Sequence, residues 1–120
     1  MRVFIRLGLF ASLLAMSGCA TLVERRPDTP ENFSSLRRMM AADKNAEKAF
    51  VKKCDSHVRS TKEAVVKIAI VLNATEESAP ELACERWAGA IISGRLTYEM
   101  YVEVVKGNAS AEVIRIQQGR

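Results

Sequence analysis

The sequence predicts an all-α fold, a small bundle of four to five short helices stapled by one disulfide. Two observations carry that reading. From position 36 onward, apolar residues recur at three- and four-residue intervals, the spacing that gathers them on one face of a helix. Between these stripes stand residues suited to starting and stopping helices: Asp43, Ser60, Ser78 and Thr97 as starts, Gly94 and Gly107 as stops. The composition fits a packed chain. Nearly half of the 120 residues are apolar, and with only six Gly and three Pro the chain is ordinary globular rather than disordered.

Each element has its own justification. Residues 36–42 predict an opening helical turn with Arg37 and Arg38 exposed. Residues 43–59 place Ala46, Phe50, Val51, Cys54 and Val58 on one stripe, with Asp43 as N-cap. Ser60 and Glu63 have the spacing of a capping box and precede Ala64, Val65, Ile68, Ala69, Val71 and Leu72. Ser78 and Glu81 repeat that spacing with Pro80 in the first turn, leading through Leu82, Cys84, Trp87, Ala88, Ile91 and Ile92 to Gly94. Thr97 starts a short helix over 98–106, closed by Gly107. For residues 110–118 two patterns compete: Val113 to Ile116 alternate as a strand would, whereas Ser110 offers an N-cap. The terminal helix is the reading adopted.

Charge excludes one functional class. Of the 18 Lys and Arg, Arg2 and Arg6 lie in the first few residues, and those remaining exceed the 14 Asp and Glu by only two. Both signs are interspersed, and the doublets Arg25-Arg26, Arg37-Arg38 and Lys52-Lys53 fall short of a nucleic-acid-binding patch.

The first eighteen residues read as a targeting segment. Arg2 and Arg6 supply a basic region, residues 7–16 an uncharged apolar run, and Ser17-Gly18 the small residues of a cleavage site. The apolar run is shorter than the roughly 20 residues that span a bilayer. The four residues Met16-Ser17-Gly18-Cys19 resemble the lipobox of bacterial lipoproteins, in which an aliphatic residue and two small ones precede a cysteine; Met16 stands where leucine is usual. The resemblance covers about nineteen residues. It implies that Cys19 is lipidated, becomes the first residue after cleavage and carries the protein on the bilayer. Ala20, rather than Asp, after the cysteine implies transport to the outer membrane, facing the periplasm. Residues 1–18 are thus expected as signal peptide, 19–35 as lipidated N-terminus and flexible tether, and 36–120 as the helical domain. The tether carries Pro27 and Pro30 and no sustained periodicity; in the competing arrangement Leu22, Val23 and Phe33 fold back onto the domain.

With Cys19 assigned to lipid, Cys54 and Cys84 remain as an even pair in an oxidising compartment, which predicts a structural disulfide. Free buried thiols, a redox pair and a metal site are the alternatives. Redox pairs usually stand two residues apart, and zinc sites take four ligands, where this chain offers one His and two distant Cys.

No catalytic constellation emerges. His57 stands three residues after Cys54, near enough on a helix to activate a thiol, although a disulfide would remove that thiol. Glu76, Glu77, Glu81 and Glu85 cluster around one helix start, where negative charge is favoured by the helix dipole without any catalytic role. Trp87 and the group Tyr98, Met100, Tyr101 and Val102 are candidates to line a groove or contact a partner; of these Trp87 is expected in the core, and Tyr98, at the start of its helix, is expected to be exposed as a contact residue. No metal or other cofactor is expected. The sequence thus points to a membrane-anchored envelope lipoprotein that acts as a non-enzymatic interaction or structural accessory module, with the bilayer, through Cys19, and an envelope protein as its partners. A small-ligand binding or carrier lipoprotein is the alternative.

Overall fold

The computed structural model describes residues 27–120, and within them the fold is all-α: six helices and no strand. The expected signal peptide, Cys19 and residues 20–26, including Leu22 and Val23, lie outside the described residues.

The first helix, α1 (Pro30–Ala42), starts six residues before the expected domain boundary at 36. Thr29 is its N-cap, accepting from the Asn32 backbone N–H at 3.1 Å, with Pro30 in the first turn. Phe33, Leu36 and Met40 fall on one stripe and are all buried, as is Pro27 before the helix. Residues 30–35 are therefore part of the domain rather than tether. Each large apolar side chain withdrawn from water contributes about 1.5–3 kcal/mol, enough to order a segment whose two prolines read as linker. Arg37, expected to be exposed, is half-buried with its Nε shielded from water. Its guanidinium lies beside Gly94, at the C-terminal end of another helix, where a cation is favoured.

Asp43 joins α1 to α2 (Lys44–Arg59). Its extended backbone donates to the Met39 carbonyl while its carboxylate accepts from the Asn45 N–H at 2.9 Å, so one residue ends one helix and caps the next. The expected capping box of Ser60 and Glu63 does not form. Ser60 is helical and closes α2, and its hydroxyl donates to the His57 carbonyl. Thr61 is the extended residue, which moves Glu63 one position too early for a box, and Glu63 pairs with Lys67 at 3.0 Å instead. Helix α3 (Lys62–Leu72) ends at Asn73, in the left-handed conformation, with the Ala74 N–H returning to the Ala69 carbonyl.

The second expected box, Ser78 with Glu81, is also absent. Ser78 is itself helical in conformation, and Thr75 does the capping: its hydroxyl accepts from the Ser78 N–H at 3.2 Å. Helix α4 (Ala79–Ser93) keeps Pro80 in its first turn and stops at Gly94 (φ 82°) as expected. Helix α5 (Tyr98–Val105) is capped by the Thr97 hydroxyl, and α6 (Ala111–Gln117) by the Ser110 hydroxyl. The C-terminal segment is thus helix, the cap prevailing over the alternation of Val113 to Ile116.

Helix α4 is the hub, packed against α1, α2, α3 and α6. Its sequence allows this because Ala79, Ala83, Cys84, Ala88 and Ala90 are small and buried, so neighbouring helices approach closely on several sides. At its C-terminal end, Ala90 and Ile91 meet Phe33, Leu36, Met40, Leu96, Val113 and Ile116 in the main core, with Trp87 packed against it. The Arg86 guanidinium donates to the Gln117 carbonyl and holds the end of α6.

Candidate functional site

Cys54, midway along α2, and Cys84, in the first half of α4, are joined in a disulfide with their Cα atoms 5.9 Å apart. Cys84 is fully buried and Cys54 half-buried. The bridge closes a segment of 30 residues that contains all of α3. It removes the thiol that His57 would have activated; His57 itself is exposed on α2.

Beside the bridge runs an open groove of about 710 Å³. Its α2 wall carries Lys44, Lys48 and Lys52 at four-residue spacing, with Val51 between the last two; its α4 wall carries Glu81 and Glu85. Residues four apart on a helix share a face, so Lys44, Lys48 and Lys52 stand in one row and Glu81 and Glu85 in another. Glu47 and Asp55 also line the groove but are paired within α2, Glu47 with Lys44 at 3.1 Å and Asp55 with Arg59 at 2.9 Å. Lys48, Lys52, Glu81 and Glu85 are exposed. Such a groove holds an opposite pattern of charges weakly, since each solvated ion pair contributes about 0–1 kcal/mol. Among the described residues no group of His, Cys, Asp and Glu is arranged to hold a metal ion.

In the sequence, Glu81 and Glu85 fit a helix start and Lys52 stands out only as part of a doublet. The four-residue spacing of Lys44, Lys48 and Lys52 was the available signal. That the two rows face each other follows from the disulfide, which brings α2 and α4 together.

The two nominated contact residues lie elsewhere. Trp87, on α4, is half-buried against the core, as expected, with its indole Nε1 shielded from water and without a hydrogen bond. Tyr98 is not the free surface residue that its place at a helix start suggested. Its ring lies 5.8 Å from that of Phe33, and its hydroxyl donates to the Asp28 carbonyl at 3.0 Å. Phe33, brought to the core by the helix that begins at Pro30, meets the rings of both Tyr98 and Tyr101.

A second charged cluster joins Arg95, before α5, to α6. Glu112 accepts from Arg95 at 2.7 Å and from Arg115 at 3.2 Å, and the Arg95 hydrogen bond chiefly holds its carboxyl below the ordinary value, with Arg115 adding to the effect. Desolvation opposes the shift and is second only to the Arg95 hydrogen bond in size.

No protein-family model, curated protein or solved structure matches the chain.

Proposed function

We propose that this protein is a membrane-anchored envelope lipoprotein whose helical domain acts as a non-enzymatic interaction module. The Cys54–Cys84 bridge is the observation that carries the reading. Structural disulfides persist in oxidising compartments, and a chain bearing Met16-Ser17-Gly18-Cys19 is one exported to such a compartment and acylated there. Two or three acyl chains on Cys19, each buried methylene adding about 0.8 kcal/mol, hold a protein on a bilayer without help from its domain. The domain is then free to bind something else. The charged groove, with rows of lysine and glutamate on opposite walls, suits a polar segment of an envelope protein better than an apolar small ligand.

In-cell crosslinking of the tagged protein, followed by mass spectrometry, tests the reading. The expected result is a specific protein partner that is retained by wild type and lost in Cys19→Ala. The double variant Lys48→Glu/Lys52→Glu, which alters only exposed groove residues, is expected to keep the fold and lose the crosslink. Crosslinks indistinguishable from those of an unrelated lipoprotein would overturn it.

A further inference from the structure

Lys48, Lys52, Glu81 and Glu85 of the groove are exposed, and none of them makes an ion pair among the described residues. Their heights along the groove follow from the bridge, which sets Cys54 beside Cys84. Phe50, before Cys54 in α2, packs against the core that Ala90 and Ile91, after Cys84 in α4, help to build, so the two helices run antiparallel. At about 1.5 Å of rise per residue, Lys52 stands about 3 Å and Glu85 about 1.5 Å from the bridge, both toward that core. Lys48, about 9 Å up, is level with Gly89 at about 7.5 Å; below the bridge Arg59 lies about 7.5 Å and Glu81 about 4.5 Å down. Gly89 shares a face with Glu85, is exposed, and a Cβ there would meet nothing within 4 Å. A glycine inside a helix weakens it relative to alanine, and no neighbour among the described residues requires this one. It leaves an opening in the α4 wall at the height of Lys48.

A face with lysines on one side and glutamates on the other is complementary to itself. Turned about a two-fold axis that runs along the groove, a second copy lays its α2 over the first copy's α4 and its α4 over the first copy's α2, with every height kept. Lys52 then meets Glu85 of the second copy at heights about 1.5 Å apart, Lys48 enters the opening at Gly89, and Arg59 stands within about 3 Å in height of Glu81. Each contact occurs twice. Glu47 and Asp55, the other carboxylates of the groove, are already paired within α2. A two-fold axis across the groove would instead set lysines against lysines. The axis along the groove also keeps the starts of both chains at one end, since Phe33 of α1 shares the core with Ile91 and Asp28 is bonded to Tyr98 there. Both tethers therefore leave the pair on the same side, toward one bilayer.

We propose that the groove of α2 and α4 pairs with the same groove of a second copy of this chain, Lys52 of each copy against Glu85 of the other and Lys48 over Gly89. The inference names the partner of the interaction module proposed above and rests on the groove being that module's binding surface. Val51 is the one apolar residue lining the groove, so the contact is chiefly ionic and sensitive to salt. Confinement of both copies to one membrane raises their effective concentration and favours so weak a contact.

The test uses the full protein extracted from membranes and reconstituted in phosphatidylcholine/phosphatidylglycerol vesicles, as an equal mixture of ordinary and heavy-nitrogen preparations. A zero-length carbodiimide then joins amines to carboxylates that touch. The expected product is a Lys52–Glu85 peptide pair of mixed isotope, which only a link between two copies can give, and it should be lost near 1 M salt, where the screening length falls to about 3 Å. Lys52→Glu and Glu85→Lys each set like charges against each other and should lose the link; mixing the two variants restores both opposite-sign pairs and should restore the mixed-isotope Lys52–Glu85 product. A mixture that stays unlinked although both variants fold overturns the pairing. Absence of any mixed-isotope link, with a different envelope protein still crosslinked to the groove in cells, overturns the pairing and leaves the interaction module intact. Absence of both overturns the module as well.

Discussion

The Tyr98 hydroxyl donates to the Asp28 carbonyl at 3.0 Å, across 70 residues of sequence. This bond ties the start of α5 to the chain just before α1, and Phe33 lies against the same tyrosine ring. The chain just before α1 is therefore held to the domain by packing.

Replacing Tyr98 by Phe keeps the ring and removes only that bond. A loss of about 0.5–1.5 kcal/mol is expected, at the low end because the bond is solvent-exposed. Phe33→Ala removes the ring on which Tyr98 and Tyr101 rest and should lose about 3–5 kcal/mol. Urea titrations of the two variants check both values; equal losses would mean that the ring contacts do not hold this corner.

Reduction of the Cys54–Cys84 bridge should destabilise the domain by about 3–4 kcal/mol, the chain-entropy value for a loop of this length. That is a large fraction of the stability expected of so small a domain. Thermal melts with and without reductant measure it. The oxidised protein should show no reactive thiol at Cys54 or Cys84 even when unfolded in denaturant.

Gly119 has φ 74°, and a Cβ there would come within 3.1–3.2 Å of the Arg86 guanidinium that holds the end of α6. Gly119→Ala should therefore lose about 1–2 kcal/mol from backbone conformation alone, and more if Arg86 is displaced. Arg86→Ala should speed amide hydrogen exchange in α6 while leaving α2 protected. Uniform acceleration across all helices would show that Arg86 is no local clamp.

Glu112 gives the fold a pH dependence on the acid side. Its carboxyl is held low in the folded state, first by its hydrogen bond to Arg95, so the folded protein loses that proton more readily than the unfolded chain does. The resulting stabilisation is complete above the unfolded carboxylate range, near pH 4.3, and is lost as pH falls through the lowered folded value. In Glu112→Gln that acid-side loss should shrink, as followed by melting temperature between neutral and strongly acid pH. A wild-type and variant pair with parallel pH profiles would contradict it.

How much of this was legible in the sequence varied with the range of the interaction. Caps set by a residue and its own following turn were read correctly at Asp43, Thr97 and Ser110, as were the stops at Gly94 and Gly107. The two boxes at Ser60 and Ser78 misled because the spacing of Ser and Glu cannot say which residue is extended; at the first it is Thr61, and before α4 it is Thr75 that caps. The start of α1 was hidden because Phe33 is buried by Tyr98 and Tyr101, partners more than sixty residues away. For the groove, each row was visible as a spacing, but their apposition required the Cys54–Cys84 pairing that brings α2 and α4 together.

Acylation of Cys19 is decided by the intact mass of the protein extracted from membranes. The expected chain begins at Cys19, carries the mass of a diacylglyceryl group and an amide-linked acyl chain, and shows one disulfide between Cys54 and Cys84. A chain with an unmodified Cys19, or one beginning at another residue, would contradict it.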